Sequence, residues 1–168
     1  MISLIAKVVA HLRVYKIKKT YTKATKIQDD IFHRLVKKAM NTKFGKEHEF
    51  TKISNYDNFK KKVPIRDYES FKQYINDIQR GQENILWPGK PKYLAKTSGT
   101  TSGVKLIPIT KESLPFHINS SRDAILFYIK QTGDSGFLNG KNIFIQGSPV
   151  LENLNGIFTG RLSGIVAH

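Results

Sequence analysis

The chain has 168 residues, 39% hydrophobic and 24% charged, the proportions of an ordinary soluble domain long enough to bury a sizeable core. It contains no cysteine, which excludes a disulfide framework, a thiolate metal site and a cysteine nucleophile. The net charge is +15, and residues 1–62 carry 16 Lys/Arg against 5 Asp/Glu, so the excess is an N-terminal property.

That charge fits either a polyanion-binding face, on nucleic acid or an anionic membrane, or a solvated lysine-rich helix surface. The basic residues are scattered and mostly Lys, which favours the solvated surface. No apolar run approaches the roughly 20 residues that span a bilayer. The opening Met1–Ala6 stretch is interrupted by Lys7 and lacks the charge-first order and small-residue cleavage site of a secretory signal. A cytoplasmic protein without a transmembrane segment is expected.

In chain order, residues 2–19 predict a helix with Leu4, Ile5, Val8, Val9 and Leu12 on one face and lysines at its end. Residues 27–40 predict a more strongly amphipathic helix, with Ile31, Phe32, Leu35, Val36, Ala39 and Met40 as its stripe and Gly45 closing the turn after it. A short polar helix over Tyr56–Lys61 ends at Pro64. Asp67 then caps a helix running to Arg80, with Tyr68, Phe71, Ile75 and Ile78 inward and Gly81 as its stop. Trp87-Pro88-Gly89 marks a turn. Short strands are expected over Tyr93–Ala95 and Leu106–Ile109, then a long helix over 113–131 with Pro115 in its first turn. Its stripe is Leu114, His117, Ile118, Ser121, Ile125, Tyr128 and Ile129. Asn142–Gln146, with Ile143, Phe144 and Ile145, reads as a buried strand.

The chemistry concentrates between the two short strands, at Thr97-Ser98-Gly99-Thr100-Thr101-Ser102-Gly103-Val104-Lys105. Glycines let a backbone turn sharply and bring N–H groups up to a ligand. Successive N–H groups make an anion nest, hydroxyls add donors, and Lys105 supplies a mobile positive charge. The arrangement suits a triphosphate. A polar hairpin loop has a similar composition, and composition alone does not choose between them. The spacing is neither a Walker A loop nor a dinucleotide fingerprint.

Thr97–Lys105 is similar to the phosphate loop of adenylate-forming enzymes, [ST]-S-G-[ST]-T-G-x-P-K, with Ser102 in place of the second Gly and Val104 in place of the Pro. With Leu106-Ile107-Pro108-Ile109-Thr110 behind it, it resembles the auxin-responsive acyl-acid–amido synthetase family, including bacterial members. Thr42-Lys43-Phe44-Gly45-Lys46, Phe59 through Val63-Pro64-Ile65 to Tyr68-Glu69, and Gly81 through Leu86-Trp87-Pro88-Gly89 resemble that family's lead-in in the same order. Gly147-Ser148 and Leu162-Ser163-Gly164-Ile165 are weaker matches.

The resemblance implies a ligase that activates a carboxylic acid with ATP and Mg²⁺ as an acyl-adenylate. The acyl group then passes to an amine, typically an amino acid, with coenzyme A as an alternative acceptor. It implies phosphate contacts from the backbone of Gly99–Gly103 and the hydroxyls of Ser98, Thr100 and Thr101, within a nucleotide-binding stretch from Thr97 through Ser102 to Gly103. Lys105 is the catalytic cation. The 113–131 helix would wall the acyl pocket.

The fold expected is α/β: a basic amphipathic helix over 1–26, then, over 27–168, the N-terminal part of the adenylate-forming large domain. Adenine- and ribose-binding elements and a lid domain find no match in these residues, so an incomplete enzyme is expected.

Other sites are weaker. Glu47-His48-Glu49 are adjacent residues that rarely converge on one metal ion. His117 falls on an apolar stripe and reads as a core histidine, and Asp29-Asp30 as first-turn charges. There is no G-x-S-x-G elbow. The reading from another class is a basic nucleic-acid-binding module whose Ser/Thr loop contacts phosphates without catalysis. No specific nucleic-acid motif supports it.

Overall fold

The computed structural model describes residues 2–97, 103–141, 143 and 145–168. Its helices in chain order are α1 (Ile2–Lys19), α2 (Ala24–Ala39), α3 (Lys43–Glu47), α4 (Tyr56–Lys62), α5 (Lys72–Gln79), α6 (Leu114–Thr132) and α7 (Leu162–Ala167). The strands are β1 (Tyr93–Lys96), β2 (Leu106–Ile109), β3 (Glu152–Leu154) and β4 (Ile157–Arg161). The chain divides into two units: Met1–Lys26 with Glu112–Ile145, and Ile27–Lys111 with Gln146–His168. No described helix is long and apolar enough to cross a membrane.

In the first unit α1 packs on α6 through small residues. Ala10 is buried against Leu126 and Ile129, with Ala6 and Leu138 at the margin. Arg13 donates twice to Asp123, Nε to Oδ1 at 2.8 Å and NH2 to Oδ2 at 2.7 Å. A bidentate pair fixes rotation about the helix axis, and small side chains permit close approach. The consequence reverses the orientation that the apolar stripe suggests: Leu4, Ile5, Val8, Val9 and Leu12 are exposed. On α6 Ile129 keeps the expected inward position beside Leu126, while Ile118, Ile125 and Tyr128 of the same stripe are exposed. His117 is exposed too and is not a core histidine. Gly133, at φ 72°, closes α6 by donating its N–H to Ile129 O at 2.9 Å.

In the second unit α2 lays Val36 and Ala39, with Phe32 and Met40, against Phe50, Ile53 and Phe59. Ile31 and Leu35, expected on the inward stripe, are exposed. Thr42 caps α3: its Oγ1 accepts from Gly45 N at 3.0 Å and donates to Ala39 O at 2.7 Å. Lys43 N and Phe44 N donate to Asn84 O and Ile85 O at 2.7 and 3.0 Å, so the first amides of α3 find partners in a neighbouring loop. Gly45 lies inside this helix and does not close a turn. A Cβ there would stand 2.1 Å from Ala39 O, so only glycine lets the two backbones meet.

Asp67 accepts from Ser70 N and Oγ at 3.0 and 2.7 Å, which is the expected cap. The element it opens is a 3₁₀ turn over Glu69–Phe71 followed by α5. Tyr74, Ile75 and Ile78 of α5 join Ile85, Leu94 and Ile157 in the core beneath the sheet. Asp77, also buried, accepts from Lys43 Nζ and from Gln73 Nε2, each at 2.9 Å.

The sheet has the order β2-β1-β4-β3. β1 runs antiparallel to β2 and parallel to β4, with Lys96 opposite Leu106 on one side and Arg161 on the other. β3 and β4 form a hairpin through Asn155-Gly156, both at positive φ (52° and 82°) as a type I′ turn requires. The buried strand expected over Asn142–Gln146 does not form at its described positions: Ile143 and Ile145 are 92% and 100% exposed and no strand pairs with them. An apolar run becomes a strand only where a neighbour's peptide groups meet its own. Asn142 and Phe144 lie outside the described residues.

Gly45→Ala is expected to destabilise the chain at the upper end of the roughly 1–3 kcal/mol typical of overpacking. Gly140→Ala, where a Cβ would meet nothing within 4 Å, serves as control. Urea denaturation of both variants measures the difference. The Lys43 hydrogen bond holds the Asp77 carboxyl below the usual carboxylate range, against the opposing effect of burial. A depressed carboxylate contributes stability above its unfolded pKa of about 4 and loses it as pH falls through the lower folded value. Asp77→Asn should therefore flatten the acid limb of a stability–pH series, leaving less to lose below about pH 4.

Candidate functional site

The Ser/Thr/Gly loop leaves the sheet at the carboxyl end of β1, beside the carboxyl end of its parallel neighbour β4. Ligands of α/β sheets gather at such ends. Thr97 N donates to Lys105 O at 3.0 Å, one step beyond the last β1–β2 pair, and closes the neck of the loop. Of the residues assigned to the site, the structure brings together Thr97 and Lys105, with Gly103 two positions before the lysine. Ser98, Gly99, Thr100, Thr101 and Ser102 lie outside the described residues. Gly103 stands at φ 79°, a left-handed conformation that favours glycine, and no described residue lies within 4 Å of where a Cβ would be.

Lys105 is held from the side. Its Nζ lies over the Tyr68 ring, 5.5 Å from the centroid. Asp67 adds a nearby negative charge. The Ser70 hydroxyl and amide hold its carboxyl below the usual range, with a smaller contribution from Lys105. A groove of about 220 Å³ runs alongside, lined by Arg66, Asp67, Tyr68, Phe71, Leu106 and Pro108 among others. Lys96 and Arg161, paired across β1 and β4, add two cations at the same end of the sheet, and Lys96 Nζ bonds Glu152 Oε1 at 2.7 Å.

The two weaker family-like stretches meet here. Gly147 N donates to Ser163 Oγ at 2.9 Å, and a Cβ on Gly164 would stand 2.2 Å from Ser148 O. Sequence reasoning found Lys105 but missed Tyr68 as its neighbour, and Lys96 and Arg161 at the same end of the sheet. Tyr68 sits in a stretch that reads as helix core, and the β1–β4 register has no local signature.

The set-aside triplet diverges. Glu47 accepts from the Tyr74 hydroxyl, and Glu49 pairs with Lys52 and Lys62, which bring its carboxyl down to about 2. His48 Nε2 lies 2.8 Å from the Arg66 guanidinium, and its Nδ1 lies 2.8 Å from Phe44 O. Arginine can only donate, so Nε2 accepts and Nδ1 carries the proton. In the first unit α6 borders an open groove of about 530 Å³ lined by Ala124, Ile125, Tyr128, Asp134 and Phe137.

The fold is mixed α/β, with a helical N-terminus and a four-stranded sheet in which Thr97 and Lys105 meet at the carboxyl end of a parallel strand pair. A family model described as the GH3 family N-terminal domain matches residues 13–166, and the chain belongs to that family. The chain is similar to the indole-3-acetic acid-amido synthetase GH3.15 of Arabidopsis thaliana, 34% identical over 110 residues that make up 64% of this chain and 18% of that protein. It is also similar to GH3.17 of the same plant, 32% identical over 96 residues, 55% of this chain and 16% of that one. Among solved structures, the GH3.15 acyl acid amido synthetase superposes with a TM-score of 0.78 at 25% identity, covering 94% of this chain and 28% of that one. The sequence matches thus span less than a fifth of the length of these curated relatives, and the structural match less than a third of the solved chain.

Gly103→Val is expected to cost roughly 1–2 kcal/mol because a β-branched residue resists the left-handed region, while Gly103→Asn costs less. Thermal melts of the two variants against the parent check the order.

Proposed function

We propose that this chain is the N-terminal, phosphate-loop-bearing part of an ATP-dependent acyl acid amido synthetase. Residues 27–168 contribute to the adenylate-forming domain, and residues 1–26 form a basic lead-in. The observation that carries the reading is the hairpin neck: in a GH3-family chain, Thr97 and Lys105 are bonded at the mouth of a Ser/Thr/Gly loop, with Lys96 and Arg161 beside it.

In the reaction, a carboxylate oxygen of the acid attacks the α-phosphorus of ATP, the bond to the bridging oxygen breaks, and pyrophosphate leaves. The amine nitrogen of an amino acid then attacks the acyl carbon, loses a proton, and AMP departs. Negative charge grows on phosphate oxygens in the first step, so positioned donors and cations are the main requirement. The backbone of Gly99–Gly103 and the hydroxyls of Ser98, Thr100 and Thr101 supply donors, and Lys105 supplies the charge. Among the described residues no group of three or more His, Cys, Asp or Glu could hold a metal ion. Mg²⁺ in this reading arrives as the counter-ion of the triphosphate. In this proposal the enzyme works in the cytoplasm.

The test uses the full-length protein that contains this chain. Pyrophosphate should exchange into ATP only when a carboxylic acid is supplied, and the products should be AMP and an amide. Cleavage to ADP, or no exchange with a broad panel of acids, rejects the reading. A thioester product would replace the amine by coenzyme A as acceptor. Lys105→Ala and Ser98→Ala should each slow adenylation by about 10²–10³, the usual loss for one preorganised donor at a developing anion, with melting temperature nearly unchanged.

A further inference from the structure

β2 is an edge strand: β1 pairs with one side of it and no strand of the described sheet pairs with the other. Its first residue, Leu106, directly follows Lys105. In the antiparallel register, Lys105 directs its carbonyl to Thr97 N, and the amide of Leu106 points away from β1. An edge amide ordinarily turns to water or to another chain. Here Leu106 N donates to the Tyr68 hydroxyl at 2.8 Å, and that hydroxyl faces Leu106 O at 3.4 Å. One phenol oxygen therefore occupies the place of a neighbouring strand at the residue next to Lys105. The ring of the same tyrosine lies under the Lys105 ammonium.

Tyr68 is itself fixed. Asp67 is tied to Ser70 by two hydrogen bonds, and the Tyr68 ring packs at the edge of the core with Phe71 and Leu106. The side chain thus reaches β2 from a rigid base and touches Lys105 in two ways, through the peptide that follows it and through its charge.

We infer that Tyr68 is the positioning residue of Lys105. Its hydroxyl sets the backbone direction from which the lysine leaves the sheet. Its ring holds the ammonium beside the loop until a stronger anion, the triphosphate, draws it away. The inference rests on the phosphate-loop reading of Thr97–Lys105 and adds a residue outside the loop. A cation–π contact at a partly exposed site is weak enough for a phosphate to displace. The backbone anchor persists through that exchange, so the lysine returns to one place.

The experiment is a double-mutant cycle in the full-length protein, with adenylation and acyl transfer measured separately. Tyr68→Phe keeps the ring and removes the anchor, and should lower kcat/KM for ATP in adenylation by about 10- to 100-fold, as a misplaced catalytic group does. Transfer to the amine from supplied acyl-adenylate should be unchanged, whereas general damage to the fold would slow both steps. In the Lys105→Ala background, Tyr68→Phe should have little further effect. If Lys105→Ala alone leaves adenylation intact, the phosphate-loop reading fails. If it slows adenylation but Tyr68→Phe does not, or the two losses multiply, the Tyr68 assignment fails. A measurement on the unmutated protein covers the case in which Tyr68→Phe does not fold. Hydrogen exchange should find the Leu106 amide protected relative to that of Val104, and free exchange at Leu106 would overturn the inference.

Discussion

β1 is hydrogen-bonded along both edges, to β2 on one side and to β4 on the other, and Leu94 at its centre is wholly buried. A strand saturated on both edges can change neither register nor direction without breaking two ladders, so it serves as the reference for the second unit. The core beneath it, Tyr74, Ile75, Ile78, Ile85 and Ile157, is built against Leu94. The loop that carries the chemistry begins where β1 stops. A phosphate site needs donors that do not rearrange when charge develops, and a loop hung on the most constrained strand of a sheet meets that need.

The family-like stretches of sequence are physically connected. Thr42–Gly45 form a capped helix that approaches the end of α2 so closely that a methyl group cannot be added. The amides of that helix hold the 84–85 loop, and its lysine pairs with Asp77 on α5. Tyr68, just upstream of α5, touches the edge strand. Phe44, Tyr68 and Leu86, one from each of three such stretches, pack against the same core of Tyr74, Ile75 and Ile78. Their likeness to the GH3 family therefore describes one assembled support.

Much of this was legible in the sequence. The strands bordering the loop, the Asp67 cap and the Pro115 start of α6 all have local signatures. What was not legible depended on partners. The apolar stripe of α1 suggested one face and the structure packs the other, because Ala10 and the Arg13–Asp123 pair decide the contact and neither stands out in a hydrophobicity pattern. The run at Ile143 and Ile145 looked like a strand because it is apolar, but no strand of the sheet meets it. The hairpin at Asn155-Gly156 has a turn signal in its sequence, but three-residue β3 is too short to show alternation. Tyr68 was read by its ring alone, and its hydroxyl matters because of a strand far away in sequence.

The sheet order has a kinetic consequence. β1 with β2, and β3 with β4, are neighbours in the chain, closed by residues 97–105 and by Asn155-Gly156. β1 meets β4 only after everything between 97 and 156 has been brought back. Loop-closure entropy grows with the length enclosed, so the two hairpins form before they join and the parallel pairing is the slow step. The neck of the phosphate loop belongs to an early hairpin, while the neighbouring charge of Arg161 reaches it only when the sheet closes. A chain caught between these events would hold Lys105 beside Thr97 and still lack its second strand of support.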